Sequence, residues 1–404
     1  MIRLAINGGA PVRQESWAPW PFFAQDEIDA VTAVLVSGRV NYWTGSECQA
    51  FESEFASYIG RHYGIALANG TLALELALFA HGIGVGDEVV VPSRTFIASA
   101  SCVVMRGAVP VVADIDPITQ GVSAETIRSV LTERTRAVIV VHLAGMPCDM
   151  APIMALAKER NLLIIEDCAQ AHGGRYRGRA LGSLGHCAAF SFCQDKIMTT
   201  GGEGGMFLTD DEAIWRRAWA YKDHGKSWEA AHEIKHPPGF RWLHQSFGTN
   251  WRMTEMQAAI GRIQLKKLDR WVERRKRNAS ILAASLKDVA GIRIPPSPDW
   301  AESAHYKFYA FINLDLVSQG WGHDSIIQAI NAEGVPCYAG SCSEIYKEKA
   351  FVDAGFFPKQ RLPEAVLQGE TSLMFLIHPT LSDTDMEDIC KAVAKVMAVA
   401  VKQG

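Results

Sequence analysis

The chain has no apolar run near the roughly 18 residues that cross a bilayer, which excludes helical membrane spans. Its first residues, MIRLAINGGAPVR, lack an apolar secretory core and a small-residue cleavage site. Both absences predict a cytoplasmic protein with no membrane partner. Basic charge is not in excess: 40 Lys and Arg stand against 44 Asp and Glu, a net charge of −4. That balance offers no field for nucleic acid or an anionic surface. The nine cysteines stand singly, without a CxxC pair. Such a set fits a reducing compartment, not a disulfide framework, and lacks the ligand spacing of a zinc site, so no metal is expected. Internal repeats of 20–50 residues and low-complexity tracts are also missing. So are a G-x-G-x-x-G turn after the first strand and a Walker A loop, which argues against a nicotinamide or P-loop site.

What is present is a long chain rich in apolar residues. At 404 residues and 48% hydrophobic it can bury a large core in two or three domains. Helical spacing covers 26–36 and 47–60, separated by the loop SGRVNYWTGS, and residues 1–45 read as an entry arm. From Tyr63 short β-branched runs alternate with helical segments. Strands are predicted near 64–67, 88–92, 109–114, 137–142, 162–167, 188–192 and 206–209. Helices are predicted near 71–81, 97–106, 124–132, 150–160 and 212–221. Apolar strands spaced by helices predict an α/β fold: a seven-stranded, mostly parallel sheet covered on both faces. Residues 226–249 are polar and irregular, broken at Pro237-Pro238, and read as a functional or interface loop. A helix over 254–275 then leads to strands near 308–314 and 373–378 and helices near 325–333 and 383–399, a small α+β domain. The expected division is 1–270 for the arm and large domain and 271–404 for the small one.

In such sheets ligands bind beyond the carboxyl ends of the strands, and four motifs lie there. Asn69-Gly70-Thr71 opens a helix, where backbone amides and a hydroxyl make an anion site or simply a cap. Asp167, in EDCAQAHGG, closes a buried strand. A carboxylate there needs a partner, which a protonated ring nitrogen or a turn could supply. Phe96, in PSRTF, could stack on a flat ring or belong to the core. Lys196, in SFCQDKIMTTGGEGG, follows Ser191 by five residues and precedes a glycine-rich turn. It is a nucleophilic amine if its surroundings let it lose a proton, and a surface lysine otherwise. An aldehyde cofactor with a phosphate, a pyridine nitrogen and a ring face would use all four motifs together. That cofactor is pyridoxal phosphate.

Taken together, NGTLALELAL, PSRTF, EDCAQAHGG, SFCQDK…GGEGG and GTNWRMTEMQAAIG resemble the DegT/StrS family of aminotransferases, from about Gly8 to the C-terminus. The resemblance implies a fold-type I pyridoxal phosphate enzyme acting on keto-sugars. It implies that Lys196 forms the aldimine and moves the proton between Cα and C4′. Asp167 would hold the pyridine nitrogen protonated, Gln170 would contact the ring hydroxyl and Phe96 would stack on the ring. Gly70, Thr71 and Ser191 would bind the phosphate. Asn250 would reach the phosphate of a neighbouring subunit's cofactor, implying a homodimer with shared active sites. His142, in VHLAGMPCDM, would lie near the cofactor as a further catalytic residue. The implied reaction takes an amino group from glutamate or glutamine, through pyridoxamine phosphate, to a keto-sugar, nucleotide-linked. Relatives with histidine in place of the lysine dehydrate the sugar; this chain keeps lysine. The alternatives are a sugar dehydratase, an aminocyclitol- or aminobenzoate-forming relative, and a non-catalytic regulatory protein of the same fold. Two features depart from the family pattern: the doubled Gly201-Gly202 and the loop GVPCYAGSCSEIY. Loop position offers Asn41, Tyr42, His305, Tyr306, Lys307 and Tyr338 as substrate contacts, with Lys307 and Arg241 as cations for a diphosphate.

Overall fold

The computed structural model describes residues 2–239 and 241–402. Seven strands form the large sheet: β1 (Tyr63–Leu67), β2 (Glu88–Pro92), β3 (Val109–Ala113), β4 (Thr135–Val141), β5 (Leu163–Asp167), β6 (Cys187–Ser191) and β7 (Gly205–Thr209). Their order is β1-β7-β6-β5-β4-β2-β3. Strand β7 runs antiparallel to both β1 and β6, and every other pairing is parallel. Runs such as EVVVP and CAAFS are buried at every position, because helices cover both faces. The chain enters through α1 (Gln25–Ser37) and α2 (Glu47–Ile59); α3 (Gly70–Ala80), α4 (Ala98–Met105), α5 (Ala124–Arg128), α6 (Met150–Arg160) and α7 (Glu212–Lys222) then alternate with the strands. The seven-stranded α/β architecture is the predicted one.

Helix α8 spans Glu255–Leu286, eleven residues beyond the predicted end at Arg275. Thr254 caps it, its side chain accepting from the Gln257 amide while Gln257 reaches back. Apolar spacing continues past Arg275 through Ala279, Leu282 and Leu286, which join a second buried cluster, while Leu268 and Val272 belong to the first. One helix is therefore shared by two cores. The second core is built from β8 (Ile292–Arg293), β9 (Phe308–Ile312), β10 (Cys337–Tyr338) and β11 (Ser372–Phe375), antiparallel in the order β8-β9-β11-β10. Helices α9 (His323–Ala332) and α12 (Asp383–Ala400) pack on it. Two short helices, α10 (Lys349–Ala354) and α11 (Pro363–Thr371), were not expected from the sequence.

The N-terminal arm lies on this second core. Leu4 is buried in it, and Glu333, with no exposed surface, accepts from the Ala5 and Val12 amides at 2.8 and 3.1 Å and from Lys395 Nζ at 2.6 Å. Among its described residues, the segment 226–249 holds one helical turn, Glu229–Glu233. His232 stacks on Trp228 at 3.9 Å, and Trp228 packs edge-on against Trp215 and Trp219, which orders the start of this segment.

Candidate active site

The site begins where three strands end together. Asn69 caps α3 by accepting from the Leu72 amide at 3.0 Å, which leaves the Gly70 and Thr71 amides without intrahelical acceptors. A Cβ on Gly70 would stand 2.6 Å from Ser191 Cβ, and one on Gly205 would stand 2.2 Å from the Asn69 carbonyl oxygen. Only glycine lets β1, β6 and β7 close this tightly. The closure sets the Ser191 hydroxyl beside a helix N-terminus, a ready site for phosphate.

The end of β5 carries two acids facing opposite ways, as alternate strand residues must. Asp167 faces a cavity. Its Oδ2 accepts from Ser99 at 2.7 Å and its Oδ1 from the Ala169 amide at 3.1 Å; Ser99 is in turn 2.8 Å from Thr95 Oγ1. Burial pushes the Asp167 carboxyl above its ordinary pKa, against the opposing pull of the Ser99 and Ala169 hydrogen bonds. A cation placed against it would relieve that cost.

Glu166 faces the interior, with no exposed surface. It accepts from the Gly182, Leu184 and Gly185 amides at 2.9, 2.7 and 2.6 Å and lies 3.0 Å from His142 Nε2. Burial alone would raise its pKa, but the hydrogen bond and charge of His142 and the Gly185 and Gly182 amides outweigh it and hold it below the ordinary value. The stability it contributes is thus present above the unfolded carboxyl range, about 4.3, and is lost as pH falls through the folded value. Glu166→Gln is expected to cost about 3 kcal/mol and to flatten the acid limb of the stability curve, read by denaturant midpoints from pH 3 to 8. An unchanged midpoint at neutral pH would refute this structural role.

Lys196 follows β6 on a loop tied down at several points. Trp20, from the N-terminal arm, donates to the Lys196 carbonyl at 2.9 Å. The ammonium lies 3.5 Å from Asp195 Oδ1 and 5.2 Å from the centre of the Tyr306 ring. The Tyr306 hydroxyl donates to the other Asp195 oxygen, and burial followed by the Asp195 charge drives the phenol pKa far up, so it stays a donor. The doubled glycine also has a physical reason. Gly201 and Gly202 have φ of 88° and 128°, left-handed values that ordinary side chains rarely adopt. Gly202 folds back to accept from the Gln194 amide at 2.9 Å and donates to Thr199 Oγ1 at 3.2 Å, closing the turn on the lysine loop.

Gly70, Thr71, Phe96, Asp167, Gln170, Ser191 and Lys196 all line one cavity of about 650 Å³. Gln170 is fixed by accepting from the Ala144 amide at 2.7 Å. A second cavity of about 670 Å³ shares Phe96, Gln170, Asp195 and Lys196 and adds Tyr306, Lys307 and Tyr338. Two predicted site residues lie outside both. His142 is wholly buried behind the strand end; its Nδ1 accepts from the Cys148 amide at 3.2 Å and its Nε2 faces Glu166. Asn250 is exposed and paired with Asp223 across a β-bridge. Of the loop residues suggested as substrate contacts, Tyr42 is core, bonded to Glu52 at 3.2 Å and to Trp219. Asn41 and Arg241 are exposed, and His305 lines a separate cavity. The sequence reading missed Ser99, Asp195 and Trp20. Asp195 had a signal, its place beside Lys196; the other two reach the site only through folding.

Residues 22–394 match the family described as DegT/DnrJ/EryC1/StrS aminotransferases. The chain belongs to that family. Among solved structures, an aminotransferase from Psychrobacter cryohalolentis is 53% identical, with a TM-score of 0.94, covering 95% of this chain and all of that one. An L-glutamine:2-deoxy-scyllo-inosose aminotransferase of Micromonospora echinospora is 34% identical over 98% of both chains. A GDP-perosamine synthase of Caulobacter vibrioides is 47% identical over 56% of this chain and 58% of its own. The protein is an aminotransferase of the sugar and aminocyclitol group, and its cofactor is pyridoxal phosphate. The cavity fits that cofactor: it offers helix amides and a serine for the phosphate, a buried carboxylate short of a cation, an aromatic wall and an amine. Among the described residues no helix is long and apolar enough to cross a membrane.

Proposed function

We propose that the enzyme moves an amino group from glutamate or glutamine to a nucleotide-linked keto-sugar, working in the cytoplasm as a homodimer with shared active sites. The observation that carries this reading is the second cavity, which meets the cofactor cavity at Lys196 and has room for a sugar ring. Pyridoxal phosphate supplies the electron sink for a carbanion next to the amine. Lys196 would hold the cofactor and would take up and return the proton of the substrate carbon. Asp167 pairs with the ring nitrogen, Gln170 meets the ring hydroxyl and Phe96 covers the ring. Gly70, Thr71 and Ser191 take the phosphate. His142 acts from behind, steadying Glu166 and so the strand that presents Asp167. Asn250 sits on an exposed segment with Trp242 and Phe247, which are 80% and 98% exposed; that placement suits a residue reaching into a second subunit. The chain divides functionally into 1–270, which holds the cofactor, and 271–404, which supplies substrate contacts.

The named relatives support both halves of the reaction. One takes its amino group from glutamine, and the other makes a GDP-linked amino sugar. The near full-length match to an aminocyclitol-forming enzyme keeps a keto-cyclitol as the second reading of the acceptor. The test is a panel of GDP-, dTDP- and UDP-linked 4-keto-sugars and scyllo-inosose with each donor, following the keto acid formed from the donor. Donor consumption with a nucleotide keto-sugar is expected. Turnover with the cyclitol alone would overturn the nucleotide link, and sugar elimination without donor consumption would overturn amino transfer.

A further inference from the structure

Three cations stand in or close behind the wall of the substrate cavity with no ion pair among the described residues. Lys307, in its wall, has neither a hydrogen bond nor an ion pair among the described residues; its Nζ lies 4.6 Å from the centre of the Tyr306 ring. Lys196 Nζ lies 5.2 Å from the centre of the same ring, so the two amines flank one side chain. Behind that ring, Arg275 is 1% exposed: its Nη1 donates to the Tyr306 carbonyl at 3.1 Å, while Nε and Nη2 have no partner. Arg94 is fully buried. Its Nη2 donates to Ser372 Oγ at 3.0 Å, its Nε and Nη1 are unpartnered, and its guanidinium lies 5.1 Å from the ring of Tyr309, another wall residue. The acids of the wall balance them only in part, Asp195 attracting Lys307 and Arg275 through space without an ion pair to either. Asp195 is engaged by Lys196 and the Tyr306 hydroxyl, and Glu348 is exposed.

Buried charges are normally paired, because removing them from water costs several kcal/mol per ion. A ligand that brings a carboxylate into the cavity would complete the counter-charge that Asp195 supplies only in part. We propose that Lys307 anchors the α-carboxylate of the amino donor, with Arg275 and Arg94 supplying the field that draws that anion in. The inference rests on the amino-transfer reading above and adds how the donor is recognised. Geometry selects the carboxylate over a sugar diphosphate. An α-carboxylate is one bond from the carbon that Lys196 must deprotonate, so its anchor belongs beside Lys196. A diphosphate is held away from the keto carbon by the sugar ring and the anomeric oxygen. Burial, with Arg275 and Lys196 adding to it and Asp195 opposing, pushes the Lys307 pKa down to about 8; an arriving carboxylate would restore the charge.

The test separates the two half-reactions by following cofactor absorbance in single turnovers of the wild type, Lys307→Met and Lys307→Arg. Lys307→Met is expected to lower kcat/KM for L-glutamate by about 10–100-fold, chiefly through KM, with Lys307→Arg recovering most of it. Binding of α-methyl-L-glutamate, which has no α-proton to lose, is expected to weaken by a similar factor in a spectroscopic titration. The acceptor half-reaction is expected to keep its rate. An unchanged donor half-reaction, equal losses in both halves, or a loss confined to the acceptor would each overturn the assignment, the last by pointing to the diphosphate. If no keto-sugar is accepted, the donor half-reaction is still measurable, so the two readings fail separately.

Discussion

Lys196→Ala is expected to lower amino transfer by at least about 10³-fold and to abolish the visible absorbance of lysine-bound pyridoxal phosphate. Two losses combine. In the proposed roles, the cofactor would lose its covalent tether and the substrate carbon would lose the amine that moves its proton. Stability is expected to change by less than about 1 kcal/mol, since the Lys196–Asp195 contact is loose at 3.5 Å and Asp195 keeps the Tyr306 hydroxyl. A folded Lys196→Ala protein can therefore be assayed, and a small added amine such as methylamine should restore part of the rate by occupying the space left. Turnover within tenfold of wild type would move the chemistry to another residue.

Asp167→Asn is the second large effect, about 10²–10⁴-fold in the rate of either half-reaction. The substitution keeps the shape and removes the charge that would hold the ring nitrogen protonated. The cofactor-free protein should respond in the opposite sense. Burial raises the folded carboxyl above its ordinary value. Stability tied to its protonation is therefore complete below the unfolded range, about 3.9, and is lost as pH rises through the folded value. Asparagine never ionises, so cofactor-free Asp167→Asn should match or exceed the wild-type Tm at pH 7. Ser99 can turn its hydroxyl to suit the amide, which limits the cost of the exchange. Cofactor addition should then stabilise the wild type more than the variant. Equal stabilisation of both by calorimetry would show that Asp167 does not pair with the ring.

Much of this site was legible because its parts are local. The turn from β1 into α3, the acid closing β5 and the lysine after β6 each depend on a few consecutive residues. The rule that ligands gather at the carboxyl ends of strands brings them together. The residues that hold these groups in place were not legible. Ser99 sits 68 residues from Asp167, and Trp20 sits 176 residues from the Lys196 carbonyl it binds. Nothing in either neighbourhood marks the partner. His142 shows the converse: its place after β4 suggests a contact with the cavity, yet both ring nitrogens turn to the protein interior.

By itself, the sequence determined the α/β class, the strands and their burial, and four strand-end motifs that a phosphate-bearing aldehyde cofactor would use together. Those follow from hydrophobic periodicity and from glycine and capping chemistry, which act over a few residues. Only the tertiary structure decided which acid of Glu166-Asp167 faces the cavity, how the doubled glycine closes its turn, and that α8 serves two cores. It also decided that Lys307 lines the substrate cavity without an ion pair, with Arg275 and Arg94 buried close behind its wall. Charge balance of that kind depends on which side chains meet in a low-dielectric interior, and contacts between distant segments set it.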